Sequence, residues 1–225
     1  MVKYIIISIF LPKGSEFMNG EQIFFEKIKV FGEFHMPRYS DLPEIDLYMD
    51  QVISVTDKYL GVFSASGDPV LTPSMINNYV KNGVIPPPEK KKYNREHLAK
   101  LLVICILKPT MEISAISDII SRSEKLYGVQ KMLDTFAEMY EKRLSAISRE
   151  ISTTLEKSKQ SEEIFCSIAT ENALRAGCEK MISGYAYAVV RKEEPAEKSD
   201  KAEKAEKKEK AEKKKVKEKQ VTKED

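Results

Sequence analysis

The chain has little of what catalytic and metal sites are usually made from. Its 225 residues include no tryptophan, two histidines and three cysteines, and no two cysteines form a Cys-x-x-Cys pair. A protein zinc site needs about four His, Cys or carboxylate ligands, so we expect no metal and no other cofactor. The sequence also lacks nucleophile–base motifs and glycine-rich phosphate loops, and we therefore expect that the protein is not an enzyme.

Long hydrophobic runs are missing as well. The apolar run Tyr4–Leu11 is too short for a membrane span, which needs about 20 apolar residues. The widely spaced Cys105, Cys166 and Cys178 are typical of buried, reduced thiols. We therefore expect a cytoplasmic protein without membrane contact.

Charge is distributed unevenly along the chain. Residues 191–225 hold 14 basic and 11 acidic side chains, whereas residues 1–190 hold 23 and 24. The Ala-Glu-Lys and Lys-Glu-Lys steps of this tail carry almost no apolar side chain with which to build a core, so we expect a disordered tail. Because the rest of the chain is nearly neutral, any DNA binding must come from local clusters of basic residues.

The most informative stretch is Leu71–Ile106, whose first part predicts a short helix. Thr72 is a good N-cap, and Pro73 suits the first helical position. An apolar face of helical period follows, and Gly83 is the residue type that commonly ends a helix in the left-handed conformation. The polar residues off the apolar face, which a DNA groove could receive, are Ser74, Asn77, Asn78 and Lys81.

A basic turn and a second helix complete this stretch. Pro86–Pro88 keep the chain extended, and Lys90–Lys92 follow as a cluster of positive charge. Asn94 is a second N-cap, for a helix that ends before Pro109. A short helix, a basic turn and a second helix together form the outline of a winged helix-turn-helix unit.

Several positions of this outline match one known DNA-binding head. They are Tyr79, the turn at residues 83–87, Tyr93 and the run Arg95–Leu98. The stretch thereby resembles the head of the MerR family, in which a recognition helix is followed by a Gly-Leu-Leu-x-Pro turn, a basic wing, a tyrosine and a last helix. The arginine of the family's recognition helix is Asn77 here, so the resemblance implies a similar scaffold with a changed set of base- and phosphate-reading residues.

A longer similarity is carried by three runs within residues 36–125. They read RYSDLPEIDLYMDQVI, LTPSMINNYVKNGVIPPP and KKKYNREHLAKLLVICILK. These runs resemble the domain-of-unknown-function family 1836 of Gram-positive bacteria. The resemblance implies a helix-turn-helix fold and brings no established activity.

The predicted fold class is mainly α, with a MerR-like winged helix-turn-helix, a helical C-terminal region and a disordered charged tail. We expect the winged domain to begin with a helix that opens at Ser40, because Asp41 and Glu44 have capping-box spacing. The predicted segments are a poorly patterned lead-in (1–35), the winged domain (36–112), the helical region (113–190) and the tail (191–225).

Two further expectations concern the ends of these segments. We hypothesise that translation starts at Met18 and that residues 1–17 are a mis-annotated start, because the codons before Met18 can resemble a ribosome-binding site. Farther along, Gly128 separates a predicted helix from a long helix over 129–157, and Ser161 caps a last helix. These helices either complete the core or form a homodimer through residues 129–190.

The function that these patterns favour is sequence-specific binding of double-stranded DNA by a transcriptional regulator. An asparagine can pair with adenine in the major groove, and basic side chains of a wing can contact phosphates. The alternative is a non-enzymatic adaptor that keeps the winged scaffold to bind a protein, which the acidic first helix and the near-neutral folded part favour. The predicted DNA-binding residues are Ser74, Asn77, Asn78, Lys81, Lys90, Lys91, Lys92, Tyr93 and Arg95.

Overall fold

A computed structural model describes residues 20–64, 68–157 and 162–191 of the chain. The chain divides into two compact units, residues 1–175 and residues 176–225. The proposed start at Met18, the cap at Ser161 and the tail beyond Arg191 lie outside the described residues.

The described chain is mainly α-helical, as the sequence predicts. No helix among the described residues is both long and apolar enough to cross a membrane. Two short strands pair antiparallel, and two 3-10 turns lie at Tyr39–Asp41 and Gly61–Phe63. The elements are α1 (Gly20–Gly32), β1 (Leu47–Tyr48), α2 (Met49–Leu60), α3 (Pro73–Lys81), β2 (Lys92–Tyr93), α4 (Arg95–Leu107), α5 (Ile113–Lys157) and α6 (Glu162–Arg191).

The lead-in contains a helix that the sequence did not reveal. In α1, Phe24 and Ile28 are four residues apart and therefore lie on one face, where they pack with Ile151 and Leu155 of α5. The hydroxyl of Ser148 on α5 donates a hydrogen bond of 2.8 Å to the carbonyl of Ile28. Because the segment is poorly patterned, its sequence did not predict this helix.

The first helix of segment 36–112 begins later than predicted. The carboxylate of Asp41 accepts a 2.8 Å hydrogen bond from the backbone N–H of Arg38, but it closes only a 3-10 turn. Leu42 then becomes extended, as a residue before proline usually is. Leu47 and Tyr48 pair with Tyr93 and Lys92, so α2 starts at Met49 rather than near Ser40.

The main core surrounds α4. Nine consecutive residues of this helix, 97–105, are buried, and the core extends into α2, α3 and both parts of α5. Lys100 is buried within this run, and its ammonium lies 2.8 Å from a carboxylate oxygen of Glu124 on α5. The core therefore continues past residue 112, into the helical region that was expected to follow the winged domain.

A break in α5 confirms that Gly128 separates two helices, as predicted. Gly128 has φ 76° and ψ 162°, which is not a helical conformation, and the chain is helical on both sides of it. Glycine reaches this region readily because it has no Cβ. Residues 113–127 and 129–157 are therefore two helical halves joined at a glycine.

An ion pair fixes the segment before α2 to the second half of α5. The guanidinium of Arg38 donates to both carboxylate oxygens of Glu141, at 3.0 and 2.8 Å. One of these oxygens also accepts the backbone N–H of Met36 at 2.8 Å. Burial alone would raise the pKa of Glu141, but the hydrogen bonds from Arg38 and Met36 lower the pKa below its ordinary value.

This ion pair predicts a loss of stability in acid. Because the pKa of Glu141 is lowered in the folded state, its contribution is present above the ordinary carboxyl pKa and is lost as pH falls below it. We expect Glu141→Gln to lower the free energy of unfolding by about 2 kcal/mol at pH 7. Urea titrations of both proteins should converge at acidic pH, and an undiminished difference there would contradict this assignment.

Candidate nucleic-acid interface

Helix α3 has the start and the stop that the sequence predicts. The hydroxyl of Thr72 accepts the backbone N–H of Met75 at 3.3 Å, and Pro73 occupies the first turn. Gly83 follows the helix with φ 68°. Ile76 and Tyr79 are buried in the core, so the opposite side of a nine-residue helix is left for a partner.

The outer face of α3 consists of the polar residues Ser74, Asn77, Asn78 and Lys81, and all four are exposed. The side-chain oxygen of Asn78 accepts a 2.9 Å hydrogen bond from Asn82 on the same face. Two-point recognition of adenine needs both the oxygen and the nitrogen of the amide. The amide of Asn77 is therefore the better placed of the two for such a contact.

The basic turn is a tight β-hairpin, which we call the lysine hairpin (Glu89–Lys92). Glu89 and Lys92 exchange two backbone hydrogen bonds, of 3.0 and 2.8 Å. The two residues between them, Lys90 and Lys91, have φ of 48° and 67°. Two successive positive φ angles define a type I′ turn, which Asn-Gly fills best.

Lysine is a costly residue in such a turn. A left-handed residue with a Cβ loses about 1–2 kcal/mol relative to its usual conformation. Lys90 and Lys91 are both exposed, so no burial of their side chains offsets this cost. The sequence had placed a basic cluster here, but nothing in its composition revealed the backbone conformation.

The base of the lysine hairpin is held by a small sheet. Lys92 pairs with Tyr48 across the two strands, and its ammonium lies 5.3 Å from the centre of the Tyr48 ring. The neighbouring Tyr93 is only 2 % exposed. Tyr93 therefore supports the hairpin from the core, and its ring is not positioned to touch DNA as the sequence suggested.

Arg95 is already engaged within the protein. Its guanidinium lies 3.1 Å from a carboxylate oxygen of Glu44 and 5.3 Å from the centre of the Tyr39 ring. It also donates to the carbonyl of Pro43 at 3.4 Å. These contacts tie the start of α4 to the segment before β1, so a phosphate would have to compete with Glu44 for this side chain.

The start of α4 is capped beneath the hairpin. The side-chain oxygen of Asn94 accepts the backbone N–H of His97 at 3.1 Å, which confirms the predicted N-cap. Burial lowers the pKa of His97, and the nearby backbone of Pro86 and Pro87 opposes this only in part. A neutral imidazole therefore packs edge-on against Tyr93 and supports the hairpin at neutral pH.

The cysteines divide into one buried and two exposed thiols. Cys105 lies in the core, where burial raises its pKa to about 12. Cys166 and Cys178 are exposed on α6, so the expectation of burial was wrong for these two. Across residues 20–64, 68–157 and 162–191, no three metal-binding side chains come together.

The comparisons with known proteins bear on the part of the chain that holds these features. No curated protein and no solved structure matches the chain. One family model does match it, over residues 37–143. This range begins beside Arg38 and ends just after Glu141, and it contains α3, the lysine hairpin and α4. The segment 37–143 thus matches the family described as "Domain of unknown function (DUF1836)", and the match supports the family that the sequence runs indicated.

Proposed function

We propose that this protein is a sequence-specific, double-stranded-DNA-binding transcriptional regulator of the cytoplasm, without enzyme activity. In this proposal α2 and α3 act as a MerR-like helix-turn-helix, with α3 as the recognition helix. The lysine hairpin acts as the wing. Helix α4 is buried along nine consecutive residues, so it serves as the support and not as the reading element.

The observation that carries the proposal is the conformation of Lys90 and Lys91. Strained, exposed residues concentrate at functional sites, where the strain is offset by what the residue does. Here both strained residues are cations at the tip of a hairpin. Contact with a polyanion explains why lysine occupies positions that Asn-Gly would fill with less strain, since each phosphate contact adds affinity by counterion release.

The outer face of α3 supplies the sequence-reading part of the proposal. A nine-residue helix is roughly 14 Å long, which is enough to present two turns of side chains to a major groove. Asn77 offers an amide with no hydrogen-bond partner among the described residues, while Lys81 supplies a charge one turn further on. Adenine is the base that an asparagine pairs with at two points.

Two copies of the chain would strengthen such binding. We propose a homodimer through residues 129–190. The exposed apolar side chains of Met181, Ile182 and Tyr185 on α6 support it, because large exposed apolar patches commonly mark interfaces. A two-fold dimer presents two recognition helices and therefore selects a DNA site with two related halves.

Selection of bound fragments from genomic DNA tests this function. We expect an enriched motif that contains adenine, arranged as an inverted repeat if the protein is a dimer. Asn77→Ala should lose the base preference at one position of the motif. It should also bind the best site more weakly, by about 1–3 kcal/mol. The control Glu21→Ala changes an exposed residue of α1, outside the proposed DNA and dimer surfaces, and should retain the motif.

The rival function is that of a protein-binding adaptor. Ile45 and Tyr48 support it, because both are exposed, at 71 % and 51 %, and Tyr48 pairs with Lys92 at the base of the lysine hairpin. The engagement of Arg95 by Glu44 supports it too, since it removes one cation from the candidate DNA surface. A selection that enriches no motif, together with a partner that is lost in Ile45→Ser, would favour the adaptor.

A further inference from the structure

We propose that a groove between α4 and the two halves of α5 binds a long-chain carboxylate, such as a fatty acid, as an effector. The effector role rests on the proposed function, whereas the binding itself needs no DNA. The groove encloses about 430 Å³, which is within the range of small-molecule sites. We call it the α4–α5 groove, and the residues that define it here are Val103, Leu107, Ile119, Tyr127, Met132 and Phe136.

The lining of the groove is apolar but not fully covered. Tyr127 and Met139 both line it, yet they are 57 % and 67 % exposed. Covering such water-exposed apolar side chains with an apolar ligand is favourable, because it removes apolar surface from water. The lining residues therefore favour a ligand with a hydrocarbon chain.

One charged side chain distinguishes among apolar ligands. Lys131 lines the groove, and its ammonium lies 5.5 Å from the centre of the Tyr127 ring. None of the described residues that line the groove is acidic, so a single anion would complement the charge of Lys131. A carboxylate attached to a hydrocarbon chain has both properties that this lining requires.

The shape of the groove favours a small molecule over a protein segment. A helix is about 10–12 Å across with its side chains, and a docked helix normally presents several anchors along a long trough. The α4–α5 groove has a volume of about 430 Å³, which is that of a single small ligand, and one lysine lines it. We therefore assign it to a small amphipathic acid rather than to a second copy of the chain.

The position of the groove would let its ligand influence the proposed DNA-binding surface. Both halves of α5 line it, and they meet at Gly128, the glycine with φ 76°. A ligand that contacts both halves and α4 restricts the angle between the halves. Because α4 follows the lysine hairpin directly, an equilibrium between two angles would couple ligand binding to DNA binding, and the coupling would be reciprocal.

Calorimetric titration of the full chain with dodecanoate below its micelle-forming concentration tests the proposal. We expect saturable binding, with dodecanol of the same chain length bound about 10-fold more weakly because it lacks the charge. Lys131→Ala should weaken dodecanoate binding about 10-fold and leave dodecanol unchanged. The matched control Lys125→Ala removes an exposed lysine of α5 that does not line the groove, and it should bind both ligands as the unaltered protein does.

A second variant fills the groove without removing its charge. Thr135 is an exposed lining residue, and Thr135→Trp should abolish binding while the circular dichroism of the helices is retained. Equal affinity for dodecanoate and dodecanol, or binding that survives Thr135→Trp, would overturn the proposal. One further result would also overturn it: a dimer that Thr135→Trp dissociates, which would assign the groove to a second copy of the chain.

The proposed function and this inference fail separately. Saturable dodecanoate binding by a protein that selects no DNA motif would retain the ligand site and reject the regulator. A selected motif without dodecanoate binding would retain the regulator and reject the ligand site. If both hold, we expect saturating dodecanoate to change the affinity for the selected DNA by about 5- to 150-fold.

Discussion

Replacing Lys90 and Lys91 by Asn and Gly is expected to make the protein more stable and a weaker DNA binder. The two lysines hold left-handed conformations at the tip of a hairpin, and Asn-Gly is the pair that such a turn prefers. Removing the strain should raise the free energy of unfolding by about 2 kcal/mol. Removing two phosphate contacts should weaken binding of the selected DNA by about 10- to 100-fold at physiological salt.

The opposite signs of these two effects make the result informative. Urea unfolding measures the first effect, and titration of labelled duplex measures the second. The control Lys29→Ala removes an exposed charge from α1, outside the proposed interface, and it should change both quantities little. A double variant that is more stable and binds DNA with unchanged affinity would show that the hairpin lysines do not contact phosphate.

Gly128→Ala is expected to be among the most damaging small substitutions in the chain. A Cβ at this position would meet no atom within 4 Å, so space does not limit the residue. The backbone conformation limits the residue instead, because φ 76° with ψ 162° is a region that essentially only glycine occupies. We expect a loss of about 2–3 kcal/mol in the free energy of unfolding.

A glycine elsewhere in the chain provides the control for that substitution. Gly177 lies within α6 and also has open space around it, but its φ is not positive. Gly177→Ala should therefore be neutral or stabilising by up to about 1 kcal/mol. Equal effects of the two substitutions in urea unfolding would mean that the break at Gly128 is not required by the fold.

Local signals of the sequence were sufficient to predict the helices of the stretch Leu71–Ile106. Thr72, Gly83 and Asn94 act at single positions through their own side chain or their lack of one, so a cap or a stop can be predicted from residue type. Gly128 belongs to the same class. The helices that these residues bound were accordingly predicted to within a few residues.

Features that depend on distant partners could not be predicted in this way. The capping-box spacing at Asp41 and Glu44 indicated a helix, but the 3-10 turn ends at Asp41, and Glu44 instead pairs with Arg95. Tyr93 and Arg95 were expected at the DNA surface because of their neighbours in sequence. The pairing of β1 with β2 buries Tyr93, and the residues that meet there are about 45 positions apart in the chain.

The measurement that tests the proposed function most directly is the affinity of the unaltered protein for duplex DNA as a function of salt. If the outer face of α3 and the lysine hairpin bind DNA, the log–log plot should have a steep negative slope. The slope should become shallower by about one unit in Lys90→Ala and again in Lys91→Ala. A flat plot, or slopes that are the same in all three proteins, would contradict the assignment of this surface to DNA.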